Sequence, residues 1–477
     1  MNRHLLRALL MLLLPATFAC STQVQNRDTQ PSADELKPRL VVCTDIAPGD
    51  VEPDDMESAV RLLAYADRLE IEAIITTVGW NCDPYPTEWA DYLRQVIDGY
   101  AHDIPHLMKR SGQEAFLPLD EENGRQTLGY WPSADYLRGR ALMGSTRAGI
   151  GVIGEGNDSP GSDFLIRLAD EEDERPIWVA AWGSANTLAQ AVWRVQQTRT
   201  PEQLKAFLQK FRVYTITDQD MVYAMREDRA YSAHQWLRRD FKDDLRFIWD
   251  EGTWQTQCSL GVQNWNRHVE QIQQRGALGV LYPNYKYGVE GDTPSFLHIL
   301  PTGLNDPDQP TQVGWGGVHT FALTPDSLTY AWTSWEEPWK SMTEAYKTRF
   351  YPDEFNDFAA RMQWAAEGKG NTNPQVVVNG TGGTAPLCLT VKAGSWLELD
   401  AGRSVDAEGD ELTFRWWRQP EADSYPGELE IAEPTASAVR IRIPAEAVGK
   451  SLHLICEVHD RGPFTLVAYR RIQVTVE

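Results

Sequence analysis

From Arg39 to about Tyr287, short apolar runs alternate with segments whose apolar residues recur at helical spacing. That alternation predicts a mostly parallel sheet with flanking helices. The predicted strands are Leu40 to Thr44, Ile71 to Val78, Ile177 to Trp182, Val213 to Thr217, Leu245 to Trp249 and Leu278 to Tyr282. After the first of them, Met56, Ala59, Val60, Leu62 and Leu63 form the apolar stripe of a helix that would pack on the sheet. A loop-rich aromatic stretch follows Gly288, and then a helical segment near Tyr351 to Glu367 closes a domain spanning 39–367. The glycine, asparagine and proline run GKGNTNPQVVVNGTGGTAP marks a linker and first strand at 368–386. Beyond it, Ser395 to Leu399, Leu412 to Trp417, Val439 to Ile443, Leu452 to Val458 and Ile472 to Val476 alternate with turn residues, predicting an immunoglobulin-like β-sandwich over 387–477.

The amino terminus reads as a targeting segment over residues 1–20. Arg3 and Arg7 form a positive region, and Ala8 to Leu14 an apolar core too short to span a bilayer. Thr17-Phe18-Ala19-Cys20 resembles a bacterial lipobox in which Cys20 would be lipidated; ordinary secretory cleavage near Ala19 is the alternative. Either route predicts an exported protein, periplasmic or at the cell surface, touching membrane only through such an anchor. The polar segment 21–38 would be a flexible tether.

With 45 basic against 68 acidic side chains in 477 residues, the formal charge is -23. That balance argues against binding a nucleic-acid polymer or adsorbing to anionic lipid, and favours neutral ligands or cations. Of the cysteines after Cys20, at 43, 82, 258, 388 and 456, no pair has the CxxC spacing of a zinc site. Cys388 and Cys456 are a candidate disulfide or two separate thiols.

The chemistry concentrates in RLVVCTDIAPGDVEPDDMESAVRLLAYAD, where an apolar strand ends in an acidic loop that opens into a helix. Asp45, Asp50, Asp54 and Asp55 crowd there, and like charges this close repel unless a cation, a proton or solvent screens them. Strand ends and helix starts in open α/β folds form the ligand-binding edge. Helix capping by Asp54 or Asp55 is the plainer reading. Three further segments place polar groups at the same edge: Gly79-Trp80-Asn81, the run from Gly183 to Ala189, and Glu290-Gly291-Asp292-Thr293-Pro294.

Together and in this order, these segments resemble the nucleoside hydrolase superfamily, with its N-terminal Asp-x-Asp-x-x-x-Asp-Asp motif and distant C-terminal Asp around one calcium ion. The phrases EPDDMESAVRLLAYAD, WGSANTLAQAVW, RVYTITDQD and EGDTPSFL are similar to exported bacterial nucleoside-hydrolase-like proteins labelled cellulose-binding, which also carry a C-terminal β domain. The resemblance implies calcium held by Asp45, Asp55, Asp292 and the backbone carbonyl of Trp182. It also implies Asp45 as base toward water, and Asp54 and Asn81 on sugar hydroxyls, with Asp50 able to take the role given to Asp54. Departures are Cys43 in place of the first aspartate, five extra residues between Asp45 and the Asp54-Asp55 pair, and Gly291 where many relatives have a histidine that helps a purine leave. The expectation is an exported calcium-dependent hydrolase of glycosyl bonds acting on a sugar-containing small molecule or glycan. Its rival is a non-catalytic surface carbohydrate-binding protein on the same scaffold.

Other residues are weighed against plainer roles. His298 and His319 have the pKa range of leaving-group acids, yet structural histidines are commoner. Glu155 and Asp158 read as turn residues, and Asp218 and Asp220 either line the productive edge or sit in a solvated loop. Among 18 tryptophans, Trp315, Trp332, Trp335 and Trp339 offer sugar-stacking faces or core packing. Asp406, Glu408 and Asp410 read as a hairpin turn before a cation site.

Overall fold

A computed structural model of the chain describes residues 36–221 and 232–477. The expected targeting segment over residues 1–20, with Cys20, lies outside the described residues. Eight strands form the first sheet: β1 (Arg39–Thr44), β2 (Glu70–Thr76), β3 (Ala141–Met143), β4 (Ile177–Ala181), β5 (Phe211–Ile216), β6 (Arg246–Asp250), β7 (Thr320–Leu323) and β8 (Tyr330–Thr333). Their spatial order is β3-β2-β1-β4-β5-β6-β8-β7, parallel throughout except for the antiparallel edge strand β7.

β1 is buried along its whole length because helices cover both faces of the sheet, which is why it reads as an unbroken apolar run. Leu40 and Val42 enter one core while Val41 and Cys43 enter the other. From β1 the chain builds outward through β2 and β3, then returns to the opposite side of β1 to continue through β4, β5 and β6. The reversal leaves a crevice beyond the carboxyl ends of β1 and β4.

The expected strand Leu278 to Tyr282 is instead the end of a helix, Gly276–Leu281, with Tyr282 as its extended C-cap. A short apolar run fits a buried helix as well as a strand, and tertiary context decides. Here Gly276 adopts φ 64°, and the Asp103 carboxylate of helix Ala90–Ser111 accepts from the amides of Ala277 and Leu278 at 2.8 Å each. That remote side chain satisfies the first helical N–H groups, a role no local residue announces. The helical segment near Tyr351 likewise extends back to Trp339.

The C-terminal region holds β9 (Leu387–Val391), β10 (Trp396–Asp400), β11 (Thr413–Arg418), β12 (Ala438–Arg442), β13 (Ser451–His459) and β14 (Val467–Val476). β10 pairs with β12 in one sheet, and β11-β13-β14-β9 form the second, antiparallel but for β9 against β14. Leu397, Leu399, Val439 and Ile441 from the first sheet meet Trp416, Leu454, Cys456 and Val474 from the second in a shared core. Among the described residues no disulfide joins Cys388 and Cys456; Cys456 is buried in the shared core. The two regions are joined by polar contacts: Arg471 donates through Nε to the Leu304 carbonyl (2.6 Å), and Gln419 donates through Nε2 to the Thr311 carbonyl (2.9 Å). No helix among the described residues is long and apolar enough to cross a membrane.

Candidate metal and sugar site

At the crevice, Asp45 follows the last residue of β1 and is buried. The β2 end closes against it: a Cβ at Gly79 would stand 2.1 Å from Asp45 Oδ2, so only glycine permits that approach. Burial, with the nearby Asp54 carboxylate, pushes the Asp45 carboxyl up to about 7, while its own amide and that of Trp80 favour the ionised form.

Asp54 and Asp55 open the helix Asp54–Leu63, where unpaired N–H groups and the helix dipole favour negative charge. The N-cap position is Pro53, which makes no side-chain cap hydrogen bond. The Asp55 carboxylate instead accepts from the Thr44 hydroxyl, tying the helix start to the end of β1. One Asp54 oxygen, Oδ1, is buried without a partner.

Asp292 arrives from a segment held by several anchors. Glu290, at φ 56°, donates its amide to Glu57 Oε2 (2.7 Å), and its carboxylate meets the buried Arg61 guanidinium, Tyr282 hydroxyl (2.9 Å) and Gln257 amide (3.1 Å). Such over-determination sustains an uncommon backbone conformation for a residue with a side chain. Ser295 Oγ donates to the Asp292 carbonyl at 2.6 Å and accepts from Trp182 Nε1 at 2.7 Å, so the end of β4 and the Asp292 turn are one unit. Asp292 itself is 3% exposed, and its Oδ2 has no partner.

Carboxylate oxygens of Asp54, Asp55 and Asp292 all lie within 4.8 Å of one another. Burial and mutual repulsion hold the carboxyls of Asp55 and Asp292 well above the usual carboxylate range. Glu52, which the sequence reading did not single out, joins them: burial and its hydrogen-bonded neighbour Asp54 push it up to about 11. Its only signal in the sequence is its place in the inserted part of the loop. Among the described residues, no lysine or arginine forms an ion pair with any of these five carboxylates. Clustered hard oxygens with unpaired lone pairs and no balancing side-chain cation fit a divalent ion of the calcium type.

Asn81 is half-buried in the turn bridged by Gly79 and Cys82 after β2, with Nδ2 buried and unpartnered. Asp50 is exposed in a turn, its backbone carbonyl accepting from Lys286 Nζ at 2.6 Å, and it is not part of the carboxylate cluster. Gly291 abuts Asp54, since a Cβ there would stand 2.6 Å from Asp54 Oδ2. Cys43 packs in the second core and burial pushes its thiol up to about 12.

His298 is wedged beside the rings of Trp178 and Tyr214, where burial pushes it down to about 3. His319 is fully buried with Nε2 3.8 Å from Asp250. Glu155 and Asp158 pair with Arg194. Asp218 and Asp220 are buried at the end of β5, bonded to the hydroxyls of Ser232 and Ser184 respectively. Asp406 Oδ1 accepts the amides of Glu408 and Asp410 at 2.9 Å each, the bonding of a tight turn. Trp315 is buried with Nε1 3.3 Å from the Tyr469 hydroxyl, Trp332 and Trp339 are half-buried, and Trp335 is exposed.

Residues 39–319 match the family described as cellulose-binding Sde182, nucleoside hydrolase-like domain, and residues 396–476 match the C-terminal domain of cellulose-binding protein Sde0182. A solved structure of a nucleoside hydrolase-related hypothetical protein from Saccharophagus degradans, described as associated with carbohydrate metabolism, is 34% identical over 92% of this chain and 100% of its own, with a TM-score of 0.78. A PKD domain aligns with 23% of this chain and 92% of its own at 13% identity and a TM-score of 0.17, too low to carry an argument. No curated protein matches the chain. With both family descriptions matched in order and a relative of the same architecture alongside, this chain belongs to the Sde182 family of nucleoside-hydrolase-like, cellulose-binding proteins.

Proposed function

We propose that the acidic crevice is a calcium-dependent site for glycosyl-bond hydrolysis in an exported protein, acting on a glycan or related sugar. The observation carrying this reading is the convergence of Asp54, Asp55 and Asp292 near Asp45, with Asp54 Oδ1 and Asp292 Oδ2 buried and unpaired. Bound calcium would supply the positive charge that removes carboxylate repulsion, acidifies a water and fixes sugar hydroxyls. Asp55 and Asp292 offer side-chain oxygens for it, and the Trp182 carbonyl at the end of β4 offers a neutral one. Asp45 accepts a proton from the water whose oxygen bonds to the anomeric carbon, while the glycosyl bond breaks and the departing oxygen takes a proton from solvent. Asn81, with its free buried Nδ2, donates to a sugar oxygen, and Asp54 accepts from a hydroxyl.

A nucleoside fits less well, because the Asp54 carboxylate fills the space that a side chain at position 291 would need. The family's description makes cellulose-like glycan the first substrate to test. It also keeps a second reading in view, a binding protein without turnover. The deciding experiment measures calcium content and release of reducing sugar from cello-oligosaccharides by wild type and Asp45→Asn. Turnover abolished in the variant with glycan binding retained supports hydrolysis. Binding without product in either protein supports the second reading, and absence of bound calcium in both contradicts the site assignment. Export and lipid attachment at Cys20 belong to the same proposal, tested by labelling with a fatty-acid analogue in cells and its loss in Cys20→Ala.

A further inference from the structure

Shortly after the helix Ala90–Ser111 the chain carries a run of exposed apolar residues, Ala115-Phe116-Leu117-Pro118-Leu119. Phe116, Leu117 and Leu119 are 40%, 40% and 51% exposed. Consecutive apolar side chains left in water mark a contact surface. The run is held in place from both sides. Gln113 Nε2 donates to the Trp131 carbonyl at 2.9 Å, Gln113 Oε1 accepts from the Trp131 amide at 2.7 Å, and the Leu117 amide donates to the Tyr130 hydroxyl at 3.0 Å.

The same excursion of the chain receives the amino-terminal end of the domain. Leu36, the first described residue, bridges to Thr127, and the Lys37 amide donates to the Gln126 carbonyl at 3.0 Å. The Lys37 ammonium lies 5.5 Å from the centroid of the Tyr130 ring, so Tyr130 touches both the point of entry and Leu117. β1 begins two residues further on at Arg39, and its six residues cover about 20 Å at a parallel strand's rise before Asp45 is reached. The apolar run therefore belongs to the amino edge of the sheet, and the acidic crevice to the carboxyl edge.

Fifteen residues lie between Cys20 and Leu36. As a flexible coil they reach about 20 Å, and at most about 50 Å fully extended. A bilayer holding an acyl chain on Cys20 is thus within reach of the apolar run. The tether is a poor cover for that run, since its own apolar residues are Val24, Pro31 and Ala33. Glu114, Asp120 and Glu121 are exposed beside it, so the surface that fits carries no net negative charge.

We propose that residues 115–119 are a membrane-docking surface, whose Phe116, Leu117 and Leu119 enter the interfacial layer of an uncharged bilayer and turn the acidic crevice away from it. This rests on the reading of Cys20 as a lipid anchor, and adds a second membrane contact together with the face of the domain that meets lipid. Insertion of three side chains is weak alone, and the tether makes it effective by raising the local concentration of bilayer.

The test is hydrogen exchange of the mature chain, 21–477, tethered by an amino-terminal histidine tag to phosphatidylcholine vesicles containing a nickel-chelating lipid. The tag takes the place of the acyl chain, so the result is independent of whether Cys20 is modified in cells. Relative to the same chain free in solution, the amides of 114–120 are expected to exchange at least about tenfold more slowly. Leu117→Asp removes that protection and Leu117→Phe keeps it; both side chains are exposed, so the thermal midpoint stays at the wild-type value. The hairpin of β7 and β8, where Phe321 and Tyr330 form another exposed aromatic patch, keeps its solution rates. Equal exchange of 114–120 on and off the vesicle overturns the proposal, as does protection centred on Phe321 and Tyr330. Protection that grows with protein concentration in the absence of lipid, and is lost in Leu117→Asp, would assign the surface to a second copy of the chain and overturns it as well.

Discussion

Gly291 and Asp54 occupy adjoining space, with the position of a Cβ at residue 291 only 2.6 Å from Asp54 Oδ2. A side chain at 291 and the observed Asp54 position exclude one another. Gly291→Ala is therefore expected to displace the Asp54 carboxylate from its neighbours Asp55 and Asp292. Calcium affinity should fall about tenfold or more, equivalent to about 1.4 kcal/mol, in a calorimetric titration. Unchanged affinity would show that Asp54 can yield at no cost.

Cys43 stands where the resemblance places the first aspartate of the motif, yet it points into the apolar core with Val41, Ala73 and Ile75. Restoring that aspartate should harm the fold and add nothing to the site. Cys43→Asp buries a carboxylate without a partner and is expected to destabilise by about 3 kcal/mol or more, whereas Cys43→Ala costs about 1 kcal/mol. Urea denaturation of the two variants checks this, and a stable Cys43→Asp with improved metal binding would refute the placement.

Much of this site was legible in the sequence because parallel strands leave a plain signature. The run Leu40 to Thr44 is apolar since both its faces are covered, and its end fixes where Asp45 must lie. Asp292 was found through resemblance, not periodicity, because nothing local indicates that a turn 247 residues after Asp45 returns to the same crevice. The helix Gly276–Leu281 was not legible, since the carboxylate that caps it belongs to Asp103 on another helix. Nor was Glu52, whose involvement depends on how the inserted loop folds back onto Asp54. The same limit applied to the histidines: His298 and His319 are equally plausible acids in one dimension, and only packing reveals both as buried among aromatic rings.

Lys37 gives the fold a pH dependence away from the site. Its ammonium is fully buried, bonded to the Ala66 carbonyl (2.7 Å) and Gln126 Oε1 (2.8 Å), and burial pushes its pKa down from 10.5 to about 7. Between those values the unfolded chain binds the proton that the folded chain has released, so this group adds stability as pH rises from about 7 toward 10.5 and loses it as pH falls back. Lys37→Met removes the dependence. The variant's stability relative to wild type should be highest near pH 7 and decline steadily toward pH 10 in parallel urea melts; a constant difference would contradict it.

The carboxylates that open the helix Asp54–Leu63 and that of Asp292 are proposed to form one calcium site. Calorimetric titration of metal-stripped protein with calcium, comparing wild type with Asp292→Asn, tests it most directly. The account predicts one ion per chain for wild type and at least about a hundredfold weaker binding for the variant, equivalent to about 2.7 kcal/mol. Absence of calcium binding by wild type, or equal affinity in both proteins, would contradict it.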